Sequence, residues 1–176
     1  MPKPNAGTYP PYFDNYINQV PESDLDAAFQ NQHVIVTDFF DTISEAKSGY
    51  AYAPGKWTLK EMLQHIIDTE RIFNYRALAF ARKEPALLPG FEENNYAANS
   101  NANTRSWKSL CEELKIVRIS TELLFRSFSE EVLNNAGIAN NNPTTVHAMG
   151  FISIGHLYHH KNIIETRYRP NLSIKS

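Results

Sequence analysis

Apolar positions recur at helical spacing in four stretches of the chain, and no stretch alternates as a strand bounded by hairpin turns would. The first runs from about Ser23 to Ala46. Ser23 is its expected N-cap, and Leu25, Phe29, Val34, Ile35, Phe39, Phe40 and Ile43 form a broad apolar face. Gly49, Pro54 and Gly55 then break the pattern. The second stretch runs from Thr58 to about Arg82 and opens on a Thr58–Glu61 capping box. The third extends from about Arg105 to Phe128, with Leu110, Leu114, Val117, Leu123, Leu124 and Phe128 spaced for burial. Thr144 begins a fourth that reaches about Tyr168 and is stopped by Pro170. Within it only VHAMGFISIG reads ambiguously between helix and strand. Four helices of about 22–26 residues, separated by breakers, predict an all-α four-helix bundle.

Three segments fall outside this pattern. Residues 1–22 carry Pro2, Pro4, Pro10, Pro11 and Pro21 and should be extended. Their aromatic content (Tyr9, Tyr12, Phe13, Tyr16) argues for an arm packed along the domain, because disordered tails are poor in such residues. The connection over 85–104 carries Pro85, Pro89, Gly90 and a series of Asn, a loop composition, and loops of that length inside a compact domain are often functional. Asn134 to Asn142 reads as a second loop. The organisation expected is an arm (1–22), one bundle domain (23–170) and a short tail (171–176).

Composition narrows the function classes. A chain of 176 residues supports one domain with a substantial core. A net charge of -2 with no dense basic patch gives no reason to expect nucleic-acid binding. Cys111 is the only cysteine, which excludes an intramolecular disulfide and a Cys-rich zinc site. No segment has the apolar length of a signal peptide or a membrane span, so cytoplasm is the expected location.

Histidine placement carries the chemistry. His65 lies on an otherwise apolar helix face shared with Glu61, Met62, Asp68, Thr69, Ile72 and Arg76. His156 and His160 stand four apart, one above the other on the last helix, while His159 falls at the edge of that face. An i, i+4 pair chelates one divalent ion, and an imidazole from a facing helix gives three nitrogen ligands with a position left open. Spacing alone leaves a second reading in place, in which these are core histidines each satisfied by a hydrogen bond. His33 and His147 have no such pairing and read as surface or hydrogen-bonded residues.

Three stretches taken together resemble the DinB-like family, which includes YfiT-like and bacillithiol-transferase-like bundles. They are YAPGKWTLKEMLQHIIDTERIFNYRALAFAR, LPGFEENNYAANSNANTRS and GHLYHHKNIIETRY. The specific signature is a Pro-Gly-Lys-Trp opening, a His eight residues after the Trp, and a Gly-His-x-x-His-His run. The resemblance implies an up-down-down-up bundle with a nickel- or zinc-type metal on His65, His156 and His160. It also implies a possible low-molecular-weight thiol cofactor, activated by the metal for transfer.

The remaining polar residues are read beside that site. Asp68 is the candidate general base or ligand-orienting acid, with a salt bridge to Arg71, Arg76 or Arg167 as its structural alternative. Glu61 is expected to serve the capping box. Arg76 and Arg167 are expected to pair with buried carboxylates, the other reading being an anionic substrate. Glu70 falls opposite His65 and is expected to be structural, pairing with the N-terminal arm. Trp57 and Trp107 read as packing at helix starts, and Phe91, Asn94, Asn95, Tyr96 and Asn99 as residues able to line a pocket. Cys111 reads as a small buried residue. The expected function is a metal-dependent transferase or hydrolase acting on a small molecule. The alternatives are a non-catalytic metal-binding module and an interaction bundle without metal; a homodimer is compatible with all three.

Overall fold

The structure, a computed structural model, describes residues 2–169 except for the side chains of 35–37. Pro170, the 171–176 tail and the side chain of Ile35 therefore lie outside the described residues. The protein is mostly helical, and four long helices carry the core: α1 (Leu25–Asp41), α2 (Leu59–Ala81), α3 (Trp107–Arg126) and α4 (Val146–Ile163). Each begins with a side-chain cap. Asp24 accepts from the Ala27 amide, Ser106 from Ser109 and Thr145 from Ala148. Thr58 and Glu61 form the complete reciprocal box at α2. The cap of α1 is thus Asp24 rather than Ser23, and α1 ends at Asp41, with 45–48 forming a separate helical turn.

Packing pairs α2 with both α3 and α4, and α1 also with both α3 and α4. Consecutive helices α1 and α2 therefore sit on a diagonal, as do α3 and α4. Two apolar clusters show which ends meet. One joins Leu25 and Phe29 of α1 to Phe73 and Phe80 of α2, Phe125 of α3 and Phe151 of α4. The other joins Phe39 and Phe40 to Leu63 and Ile66, Leu110 and Leu114, and Leu157. Helix α4 is buried around nearly its whole circumference over 146–158, as a central helix that is apolar on all sides must be. It continues past Ile163 as a π-helical turn, Ile164–Tyr168.

Two parts of the chain depart from the sequence expectation. The segment expected to be a loop at 134–142 contains strand β1 (Ala136–Ala139), paired antiparallel with β2 (Asn142–Thr145). The two residues between them, Asn140 and Asn141, both have positive φ, 51° and 60°. This is the backbone of a type I′ hairpin, which asparagine tolerates better than most residues. Leu88 adds a parallel bridge to Ala139, so the long connection is stitched to the hairpin. That connection also holds a short helix, Glu93–Asn99. The N-terminal arm packs as expected, with Tyr9, Ile17 and Val20 buried, but it is helical over Pro11–Ile17 rather than extended. Val34 and Leu123, expected on buried faces, are 59% and 61% exposed, because each points away from the neighbouring helices.

Candidate metal centre

His65 on α2 and His156 and His160 on α4 meet at the α2–α4 contact, and all three are buried. The Nε2 of His156 lies 3.2 Å from that of His65 and 3.0 Å from that of His160. One ligand atom from each of the three fits within a span of 4.8 Å. Burial holds all three imidazoles neutral. His65 is pushed down to about 4, and His156 and His160 fall well below the ordinary range, with neighbouring histidines, His159 among them in each case, as a secondary cause.

Three neutral imidazoles cannot satisfy one another in this arrangement. A proton on the His156 Nε2 can be donated to one neighbour, and the other then meets it without a donor. A cation placed among the nitrogens accepts all three lone pairs. Ligand nitrogens about 2.0–2.1 Å from an ion are separated by about 2.9–3.4 Å at octahedral to tetrahedral angles, which brackets both observed distances. The donor set fits a divalent metal. The Thr69 hydroxyl stands 3.4 Å from the His65 Nδ1, where it can accept that ring's proton and leave Nε2 free to bind.

The cluster opens onto a cavity of about 450 Å³, a size suited to a small organic molecule. Its walls come from the arm, the segment before α2, α2 itself, the 85–104 connection, the hairpin and α4. The arm supplies Tyr16, whose ring stands edge-on to His156 at 5.5 Å. Trp57, before α2, packs at 4.8 Å from the His65 ring, and Phe73 at 5.7 Å from His156. Gly155 makes the arm contact possible: a Cβ there would lie 2.2 Å from the Tyr16 carbonyl oxygen. The glycine preceding His156 in the motif thus admits the backbone that covers the site.

The sequence candidates separate into those at the cavity and those elsewhere. Asp68 is not among the cavity-lining residues. Its carboxylate accepts from Gln64 at 2.9 Å and lies 3.9 Å from Arg71, within a polar network to α3 in which Arg71 and Arg105 both hold Glu113. Burial pushes its pKa up despite these partners. Glu61 is spent on the capping box and on Asn103. Glu70 does not pair with the arm; its partner is Arg118 of α3 at 2.7 Å, both side chains fully enclosed, and Thr121 donates to its other oxygen. Arg76 lacks the expected carboxylate partner among the described residues and instead donates to the Pro89 carbonyl at 2.9 Å. The Arg167 guanidinium donates to the Tyr52 hydroxyl at 3.1 Å.

His159 lines the cavity edge, with Nδ1 3.4 Å from the Gln19 amide nitrogen and its ring against Tyr16. His147 is buried against Phe151 rather than at the surface. Of the loop residues, Phe91 and Asn94 line the cavity. Asn95, Tyr96 and Asn99 do not. Cys111 is buried in the second apolar cluster, which pushes its thiol up to about 12 and makes it a poor nucleophile. Sequence reasoning overlooked Asn140, which reaches the cavity through the hairpin, and Arg118.

The family model of the DinB superfamily matches residues 28–164. The chain belongs to the DinB superfamily. Among solved structures it is similar to YfiT from Bacillus subtilis, described as a probable metal-dependent hydrolase with an unusual four-helix bundle topology. The match has 16% identity and a TM-score of 0.66, covering 96% of this chain and 93% of that one. It is also similar to the mycothiol-dependent maleylpyruvate isomerase, at 11% identity and a TM-score of 0.64, covering 82% of this chain and 61% of that one. At these identities the likeness is one of fold. No curated protein sequence matches the chain. Among the described residues, no helix of this DinB-superfamily member is long and apolar enough to cross a membrane.

Proposed function

We propose that this protein holds a divalent metal on His65, His156 and His160 and works as a metal-dependent transferase whose nucleophile is a small thiol. The observation that carries the reading is the convergence of three neutral imidazole nitrogens at the wall of a cavity large enough for a substrate. A divalent ion there supplies Lewis acidity that lowers the pKa of a thiol or water approaching its open side. The thiol is favoured over water by what surrounds the histidines. Activated water in a hydrolase is usually served by a neighbouring general base, and Asp68, the candidate for that role, is engaged with Gln64 on the side of the α3 network. A thiol is far more acidic than water, so on a metal held by these histidines it would ionise without a protein base and release its proton to solvent. Hydrolysis is the runner-up, supported by the description of YfiT. Thiol dependence is part of the second neighbour's name.

The residues of the chain do the positioning. Thr69 sets the His65 tautomer, Gly155 seats the arm, and Tyr16 and Trp57 shield the imidazoles from bulk water. Imidazole suits nickel and zinc alike. The shared apolar clusters support an up-down-down-up order, since the N-terminal ends of α1 and α4 meet the C-terminal ends of α2 and α3. A cytoplasmic location belongs to the same reading. So does a homodimer built on the exposed Ile116, Ile119 and Leu123 of α3.

Metal analysis of tag-free protein tests the centre. Wild type should retain about one divalent ion per chain and His65→Ala far less. Equal, negligible retention by both would remove the metal and the chemistry built on it. For the thiol, cobalt-loaded protein should develop a sulfur-to-metal charge-transfer band on adding 2-mercaptoethanol, and His160→Ala should not.

A further inference from the structure

Three cationic side chains are buried among the described residues, and two of them have acidic partners. Lys60 pairs with Glu45 and Arg118 with Glu70. Arg76 is the exception. It is 7% exposed, donates one hydrogen bond to the Pro89 carbonyl, and stands 6.0 Å over the Phe91 ring, with no carboxylate in ion-pair reach. A cation removed from water is normally compensated by an anion. Arg76 lines the same cavity as the histidines. It follows His65 by eleven residues on the same face of α2, three turns or about 16 Å along the axis.

The cavity wall shares this character. Lys56, Arg76 and Arg167 line it against a single acid, Glu93, in a chain whose net charge is -2. We propose that Arg76 is the anion subsite of this cavity and receives a carboxylate of the bound small molecule. The substrate, or the thiol that meets it, is then an elongated organic acid, with its reactive atom at the histidines and its acid group toward the far end of α2. This assignment deepens the metal-site reading and rests on it for the position of the reactive atom. A carboxylate matches the residue: it is planar, pairs with the free edge of a guanidinium through two parallel hydrogen bonds, and its one charge balances one arginine. A phosphate dianion would bring more charge and more acceptors than one guanidinium can meet.

The assignment is tested by two matched ligand pairs. Zinc-loaded protein is titrated calorimetrically with 6-mercaptohexanoate and 6-mercaptohexan-1-ol, and untreated protein with hexanoate and hexan-1-ol by NMR. Wild type should bind each acid about 10- to 100-fold more tightly than its alcohol, the range for a hydrogen bond to a charged group. Arg76→Met should abolish that preference and leave alcohol binding unchanged, while Arg76→Lys keeps part of it. Equal binding of acid and alcohol by wild type overturns the proposal, and this comparison needs no variant to fold. A preference that survives in Arg76→Met overturns it as well. Should the two mercapto compounds bind no better than their sulfur-free counterparts while hexanoate still outcompetes hexanol, the metal reading fails and the arginine subsite stands.

Discussion

Two buried polar groupings divide the labour of this domain at the level of single residues. The histidines are held neutral by burial and turn their lone pairs toward a common point, which makes them receptive to a cation. Glu70 and Arg118 instead compensate each other. Burial pushes the carboxyl up and the guanidinium down, against the pull of the pair. Among the described residues the Arg118 Nε and Nη1 have no hydrogen-bond partner, so the geometry is imperfect. Such a pair adds little net stability, yet removing one partner strands a buried charge. Glu70→Gln should therefore lower stability by about 3–5 kcal/mol. The double change Glu70→Met with Arg118→Met should recover most of that loss or exceed wild type. Urea unfolding of the three proteins decides it, and a single variant as stable as wild type would mean the pair is not ionised. The site histidines were legible from spacing and the flanking Gly-His-x-x-His-His run, whereas Arg118 was not. Nothing in Leu114–Phe125 marks an inward arginine before Glu70 is known to face it.

At the level of elements, the long helices were legible because each joins a 3.6-residue apolar period to a capping residue, most completely at Thr58 and Glu61. The hairpin was not. Its strands are four residues long, Pro143 sits inside one, and the turn is Asn-Asn rather than a glycine-containing pair. The arm was legible as a packed segment from its aromatics, but its helical turn was hidden by its prolines. Pro11 falls at the first helical position, where no amide is needed. Gly155 lets the backbone of the arm lie directly against α4. Gly155→Ala would drive a methyl group against the Tyr16 carbonyl, so the arm must shift outward. The loss should be about 1–3 kcal/mol, the usual range for overpacking. Hydrogen exchange should accelerate at the amides of 12–20 while those of α3 keep their protection. Unchanged exchange in the arm would mean that the backbone contact is not what holds it.

For the molecule as a whole, the candidate metal centre joins α2 to α4, and therefore joins elements far apart in sequence. His65 and His156 are separated by 91 residues, and α3 and the hairpin lie between them. An unfolded chain offers no preformed set of three imidazoles, so an ion that binds the folded state stabilises it by mass action. With free metal at about 100 times the dissociation constant the gain is about 2.7 kcal/mol. For a domain of this size that corresponds to a rise in Tm of about 5–10 °C. Zinc or nickel added to metal-stripped wild type should produce that rise, dependent on metal concentration, and EDTA should reverse it. His156→Ala removes the nitrogen that stands between the other two, and its Tm should not respond to metal. Asp68→Asn serves as the contrast: its carboxylate belongs to the network with Gln64 and Arg71, so its metal-dependent shift should equal that of wild type. A loss of the shift in Asp68→Asn would instead return that carboxylate to the metal centre, and reopen water as the nucleophile.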